Sequence, residues 1–186
     1  MAPQTSTKLT YEDYLQLPDD GNRYEIIDGE LVLNPTPVFR HQRILGNLFF
    51  ALELHFRSHG GGLVVVAPFD VVLSPHQMYE PDLLIVLDEH RSIVTEKNVT
   101  GAPDLVVEIL SPGTRSRDEK VKRANYERYG VSEYWLVDPE DEVVMIDRRV
   151  GGAFVRAAVL EYEKGDTLAT PLIPGFSLSL AEVFAP

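Results

Sequence analysis

APDLVVEILSPGTRSRDEKVKRANYERYGVSEYWLVDP, residues 102–139, carries the clearest structural signal in the chain. Its apolar run Asp104–Leu110 predicts a strand, and the polar segment Arg115–Tyr129 predicts a helix that ends at Gly130. A second apolar run, Glu133–Val137, predicts the next strand. A strand, a helix and a strand in succession are typical of a crossover connection within one sheet.

Antiparallel elements are expected on both sides of this unit. Asp28-Gly29 lies between two apolar stretches of residues 22–34, which is a strong hairpin signal. Residues 38–58 carry apolar side chains at helical spacing and predict the longest helix. Further elements are predicted as a short helix after Thr10, strands at Leu63–Leu73, Tyr79–Leu87, Glu142–Arg149 and Phe154–Glu161, and a helical turn near Leu180. The expected class is α/β, a mixed β-sheet flanked by helices with added antiparallel hairpins.

The composition is that of an ordinary globular domain. The chain has 186 residues, a formal net charge of −12 and no cysteine. Residues 1–9 are expected to form a flexible tail and residues 10–186 a single domain. The lack of cysteine excludes disulfides, thiolate zinc sites and cysteine nucleophiles, and it favours a cytoplasmic location. No apolar run of about eighteen residues occurs, so no membrane-spanning helix is expected.

Two acidic residues interrupt apolar strands. Asp82 lies in EPDLLIVL and Glu108 lies in DLVVEILS. A carboxylate in a buried strand is costly unless it is paired, protonated or bound to a metal. If the two strands are neighbours, both carboxylates can converge on one hard cation such as Mg²⁺ or Mn²⁺. The alternative is structural: Asp82 begins its strand at the solvent edge, and Glu108 lies on an exposed face or pairs with a Lys or Arg.

The helix that follows adds positive charge close to these acids. Asp118 and Lys122 are four residues apart and share one helical face. Such a pair is often only a surface salt bridge worth a few tenths of a kcal/mol. Because this helix starts just after the Glu108 strand, its first turns are expected near the carboxylates.

The order of these residues resembles the PD-(D/E)XK nuclease superfamily, and more closely the Uma family of restriction-endonuclease-like proteins. The resemblance covers most of the chain beyond residue 8. The stretches that carry it are YEIIDGEL (24–31), FRHQRILGNL (39–48), EPDLLIV (80–86), the segment 102–139, and IPGFSLSLAEVF (173–184).

The resemblance implies roles for individual residues. Asp82 matches the metal-binding acid of the superfamily, and Glu108 matches the first acid of its E-x-K element. The lysine of that element would be residue 110, which is Leu110 here. In the Uma family the lysine is in the following helix, which makes Lys122 the candidate and Lys120 its less favoured substitute.

The resemblance also implies supporting residues. Glu25 matches an early glutamate of the family, where it would contact the metal or one of its ligands. His41 matches a histidine at the start of the long helix, although a lone histidine there is more often structural. Asp70, in APFDVVLS, is a third strand acid that would line the same cleft or simply be a polar residue of an edge strand. Asp118 is a further candidate beside Lys122.

The function implied is hydrolysis of DNA phosphodiester bonds with Mg²⁺ or Mn²⁺, by a homodimer if both strands are cut. Two alternatives remain open on the sequence. One is a catalytically inactive binding or assembly module with the same fold, which the acidic charge and the missing E-x-K lysine favour. The other is a hydrolase of a small phosphoester.

Overall fold

A computed structural model describes residues 8–186 as four α-helices, thirteen strands and short helical turns. The helices are α1 (Tyr11–Tyr14), α2 (Phe39–His59), α3 (Arg123–Tyr129) and α4 (Leu180–Val183). The strands are β1 (Arg23–Ile27), β2 (Glu30–Asn34), β3 (Gly62–Val66), β4 (Asp70–Ser74), β5 (Gln77–Tyr79), β6 (Leu83–Leu87), β7 (Asn98–Thr100), β8 (Leu105–Ile109), β9 (Glu133–Asp138), β10 (Val143–Val150), β11 (Ala153–Glu161), β12 (Thr167–Leu168) and β13 (Leu178–Ser179).

The large sheet has six strands in the order β11-β10-β9-β8-β6-β3. Strands β8 and β9 are parallel, and the other neighbours in this sheet are antiparallel. The parallel pair is joined by the helical segment between them, which is the crossover that the sequence predicts. The mixed sheet flanked by helices is therefore confirmed.

The small sheet has five strands in the order β2-β1-β5-β4-β7. Its first two strands form the expected hairpin. The turn residues Asp28 and Gly29 have φ angles of 53° and 82°, which glycine and aspartate accept more readily than most residues. This hairpin places Glu25 at the centre of β1, where it is fully buried.

Two predicted strands are wrong in extent. The run Leu63–Leu73 is divided between β3 in the large sheet and β4 in the small sheet, and Tyr79–Leu87 is divided between β5 and β6 in the same way. Pro68 and Pro81 lie at the two breaks, where the missing backbone N–H prevents a continuous ladder. Between β3 and β6 the chain therefore crosses from the large sheet to the small sheet and back, and this brings the two sheets together beside Asp82.

The core lies on both faces of the large sheet. Helix α2 covers one face, where Leu48 and Leu52 pack against Ile85, Val107 and Trp135 in a cluster of buried side chains. Helix α3 covers the other face, and its Tyr126 packs with Val106, Tyr134 and Leu136. The two faces alternate along β6 and β8, as a strand period of two requires.

The crossover helix differs from expectation in its winding. Arg117–Lys122 forms a π-helical turn before α3 begins at Arg123, and Gly130 ends the helix with φ 103°. A π turn widens the helix locally and is frequent at functional sites.

The N-terminal segment is held from Leu9 onward. Leu9 donates a backbone hydrogen bond to Gly29, and Thr10 and Asp13 form a capping box on α1. The remainder of the predicted tail, residues 1–7, lies outside the described residues. None of the helices within residues 8–186 is both long and apolar enough to cross a bilayer.

Leu52→Ala should lower the free energy of unfolding by about 2–5 kcal/mol, because it removes a fully buried side chain and leaves a cavity between α2 and the large sheet. Leu33→Ala, on β2, is a matched control because Leu33 is 53% exposed and should change stability by less than about 0.5 kcal/mol. Urea denaturation of both variants measures the difference. Equal losses would contradict this packing of α2.

Candidate active site

The two strand carboxylates lie opposite one another at the end of the large sheet. In the antiparallel β6–β8 pair, Leu83 faces Val107, so that Asp82 falls opposite Glu108 when the register is continued by one residue. Directly opposed residues of an antiparallel pair point to the same face. Asp82 Oδ2 also accepts a hydrogen bond of 2.7 Å from the backbone N–H of Ile109. The neighbouring strands assumed in the sequence analysis are therefore present.

Lys122 brings its ammonium group between three carboxylates. Its Nζ lies 2.7 Å from Glu25 Oε1, 2.9 Å from Glu108 Oε1 and 3.5 Å from Asp118 Oδ1. Lys122 is only 3% exposed. A buried ammonium is tolerated only with such partners, so this is not the surface salt bridge that the i,i+4 spacing alone would favour.

Tyrosine side chains complete the surroundings of the cluster. Tyr126, four residues after Lys122, donates a 2.9 Å hydrogen bond to Glu108 Oε1. Tyr134 in β9 donates to the backbone oxygen of Asp118 at 3.1 Å. Neither tyrosine was expected at the site from the sequence. The spacing Asp118, Lys122 and Tyr126 is a signal for the first, since all three share one side of the helix.

His41 contacts the site from the start of α2. Its Nε2 lies 3.2 Å from Asp82 Oδ2, and its buried Nδ1 has no hydrogen-bond partner among the described residues. His41 therefore lies beside the carboxylate that the resemblance assigns to the metal, rather than only among apolar core residues.

Two of the candidates lie elsewhere. Asp70 is in β4 of the small sheet, where its Oδ2 accepts a 2.7 Å hydrogen bond from Tyr11, so it does not line the same cleft. Lys120 is exposed and points away from the cluster, because residues 120 and 122 lie on different sides of the helical segment.

A cleft of about 480 Å³ opens over the cluster. It is lined by Asp82, Glu108, Asp118, Lys122 and His41. Glu25 lies beneath them with no exposed surface. The cationic side chains on its wall are Arg23, Arg40 and Arg117. Glu80 and Glu140 lie on the same wall, so the cleft combines an acidic floor with a wall of mixed charge.

Arg117 and Glu80 add charge next to the cluster. The Nη2 group of Arg117 donates to Asn34 Oδ1 at 2.9 Å, its Nε lies 3.8 Å from Glu25 Oε2, and this buried Nε has no hydrogen-bond partner among the described residues. Burial raises the pKa of Glu80 to about 7, although the nearby Arg23 opposes the rise. Neither residue was singled out from the sequence.

The electrostatics of the cluster are dominated by burial. Burial raises the pKa of Glu108 well above its ordinary value, and the Lys122 ammonium opposes this rise. The carboxylates of Asp118, Asp82 and Glu25 raise the pKa of Glu108 further. Burial alone would lower the pKa of Lys122, but Glu108 and Glu25 raise it well above its usual range. Lys122 is therefore charged at neutral pH.

Carboxylates outnumber cations at the floor of the cleft. The four acids there are Glu25, Asp82, Glu108 and Asp118, and the cations in contact with them are Lys122 and Arg117. A proton or an added cation would offset the excess of negative charge.

The donor set fits a hard divalent cation that keeps much of its water. Within residues 8–186, no three His, Cys, Asp or Glu side chains are grouped as a metal site. Asp82 Oδ1 and Glu108 Oε2 accept no hydrogen bond from any described residue, while the second oxygen of each carboxylate is held. Two carboxylate oxygens, completed by water or phosphate oxygens, are a common arrangement for Mg²⁺.

The same fold occurs in a solved structure. A crystal structure described as a "putative nuclease belonging to DUF820" from Anabaena variabilis superposes with a TM-score of 0.79, over 95% of this chain and 98% of the other, at 19% sequence identity. No curated protein matches the chain in sequence.

The family follows from a match over nearly the whole chain. The sequence profile of Uma2, described as "Putative restriction endonuclease", matches residues 11–181. The chain belongs to this Uma2 family of restriction-endonuclease-like proteins.

Lys122→Met should destabilise the fold by about 3–5 kcal/mol near neutral pH, because it leaves Glu25, Glu108 and Asp118 buried without their ammonium. Burial raises the pKa of Glu108 and of Asp118 and Lys122 opposes this rise, so without the ammonium the folded state holds protons on these two acids more tightly than the unfolded chain does. Stability of the variant should then rise as pH falls from about 8 toward the ordinary carboxyl pKa.

The measurement is urea denaturation at several pH values, with Lys120→Met as the control because that side chain is exposed. A gap between Lys122→Met and the unmodified protein that stays constant across this pH range would show that the acids are not what the ammonium stabilises.

Proposed function

We propose that this protein is a metal-dependent endonuclease that hydrolyses phosphodiester bonds in DNA. The main support is that Asp82 and Glu108 lie on one face of the large sheet, at the floor of a cleft. The Lys122 ammonium lies 2.9 Å from Glu108 at the same place. This supports the order of residues expected from the PD-(D/E)XK resemblance, with the lysine supplied by the crossover helix.

The two strand acids and the lysine would have different roles in the reaction. Asp82 and Glu108 would hold Mg²⁺ or Mn²⁺, which when bound supplies Lewis-acid polarisation of the phosphodiester. Lys122 offers a fixed positive charge that favours the extra negative charge of the transition state. Glu25 and Asp118 keep that ammonium charged and in position through contacts of 2.7 and 3.5 Å.

Other residues orient these groups. Tyr126 holds the Glu108 oxygen that also contacts Lys122, so both donors fix the carboxylate in one rotamer. The backbone N–H of Ile109 and the imidazole of His41 hold one oxygen of Asp82 and leave the other free. Such preorganisation avoids reorientation at the moment of reaction.

Three arginines on the wall of the cleft suit a phosphate backbone, although Arg23 lies 3.9 Å from Glu80 and Arg40 pairs with Glu142. Arg23, Arg40 and Arg117 lie on the wall of the cleft. Arginine pairs well with phosphate, and attraction at close range depends on local charge more than on the net charge of −12. Weak non-specific binding to DNA, with strong dependence on salt, is the expected consequence.

A binding or assembly module without catalysis is the second candidate. It is favoured by Leu110, which occupies the usual lysine position and is buried in an apolar cluster, and by the complete engagement of Lys122 with carboxylates. The two functions differ in whether the site turns over substrate.

Purified protein should cleave linear, supercoiled or branched DNA when Mg²⁺ or Mn²⁺ is present and should be inactive in excess chelator. Asp82→Asn and Glu108→Gln should each lower the rate by about 100-fold or more, because each removes one charged metal ligand. Asp88→Asn is the matched control, since Asp88 is exposed and pairs only with Arg91. Gel assays with end-labelled and plasmid DNA measure the rates.

Intact DNA under all these conditions, with a folded protein, would overturn the endonuclease and support the binding module. Cleavage that persists in both Asp82→Asn and Glu108→Gln would instead point to a contaminating nuclease.

Metal binding can be tested without DNA. A saturating concentration of Mn²⁺, about a hundred times its Kd, should raise the melting temperature by roughly 5–10 °C, since a ligand of the folded state stabilises it. The shift should vanish in Asp82→Asn and Glu108→Gln and persist in Asp88→Asn. Calorimetry that shows no heat and no shift in the unmodified protein would exclude a metal held by these two carboxylates.

A further inference from the structure

The outer face of α2 is unusually apolar for an exposed helix. Phe39 and Phe50 are 78% and 69% exposed, and Leu54 beside them is exposed as well. Because an α-helix turns by 100° per residue, one narrow stripe along α2 contains Phe39, Gly46, Phe50 and Arg57. The opposite side of the same helix carries Leu48 and Leu52 into the core. Within the stripe, Arg57 pairs with Glu53 of the same helix, with its Nε 2.7 Å from Glu53 Oε1.

Gly46 lies at the middle of this stripe and has no intramolecular explanation. A Cβ added to it would meet nothing within 4 Å, so no close packing inside the chain requires glycine there. Glycine is also among the weakest helix formers. A glycine in the centre of an exposed helical face is suited to a close approach from outside the chain.

We propose that the outer face of α2 is the interface of a homodimer, in which two copies of α2 pack antiparallel across a two-fold axis at the level of Leu48. Phe50 of each copy then lies at the level of Gly46 of the partner subunit, where the missing side chain leaves room for the ring. This surface is separate from the proposed function, because the catalytic cluster faces the other side of the helix start.

The charges on the same face select this register. With Phe50 over the partner's Gly46, Arg43 lies at the level of the partner's Glu53, and Phe39 at the level of the partner's Arg57. Both contacts are favourable, the first as an ion pair and the second as a cation–π contact. A register that stacks Phe50 on its own copy would instead bring Arg43 to the partner's Arg57, which is repulsive.

A second copy is the occupant that this face fits best. The face is self-complementary, since Phe50 meets a glycine and each of the two arginines meets an acidic or aromatic residue under a single two-fold operation. Aromatic and arginine side chains are also the residue types that contribute most at interface centres.

Sedimentation equilibrium of the full chain, without metal or DNA, tests the proposal. The unmodified protein should be a dimer, and Phe50→Glu should raise the dimer dissociation constant by roughly tenfold or more. Gly46→Leu should do the same without lowering the melting temperature, because the added side chain meets only open space in the monomer. Val150→Glu, on an exposed strand residue far from α2 in sequence, should leave the dimer intact.

A charge exchange tests the register. Arg43→Glu and Glu53→Arg should each weaken the dimer. The double variant should recover part of the loss, because the pair is reformed with opposite signs while the ion pair of Glu53 with Arg57 is given up. A monomeric unmodified protein would overturn the proposal. A dimer that survives both Phe50→Glu and Gly46→Leu would assign the interface to another surface, and failure of the double variant to recover would refute this register.

Discussion

The contact between the Lys122 ammonium and the carboxylates of Glu25 and Glu108 joins three parts of the molecule. Glu25 belongs to the small sheet, Glu108 to the large sheet, and Lys122 to the crossover helix that connects β8 and β9. An ammonium with almost no exposure has a large desolvation penalty, which only close carboxylates offset. The relative placement of the three elements therefore depends on this cluster as well as on apolar packing.

The same constraint shapes the cleft. The carboxylates that accept from Lys122 cannot turn toward solvent without leaving the ammonium unpaired. Their orientation is therefore fixed by the contact with Lys122. Asp82 is restrained independently, by the N–H of Ile109 and by His41 at the start of α2. Asp82, just before β6, and Glu108, inside β8, are thereby held together at the floor of the cleft, beneath the arginines of its wall. A rigid arrangement of charges is what electrostatic catalysis of phosphate chemistry requires.

Local patterns in the sequence were enough to predict most elements, the mixed sheet and the convergence of Asp82 with Glu108. They failed where a contiguous apolar run contains a proline, because β3 and β4 are indistinguishable by hydropathy from one long strand. They also failed for side chains whose partners are distant. Asp70 has the same local setting as a site acid, but β4 is separated from the β1 strand of Glu25 by β5, and its carboxylate accepts from Tyr11 instead. Lys120 was misplaced as a substitute because the exposure of a helical lysine depends on what the helix packs against.

By itself, the sequence determined the class of fold, the family signature and the identity of the two strand acids, since periodicity and buried charge are properties of short segments. Only the tertiary structure decided which lysine reaches the acids and that Glu25 lies beneath them. It also decided that Tyr126 and His41 hold the two carboxylates. These contacts join residues far apart in the chain, and they follow from sheet order, register and helix winding, which no local pattern specifies.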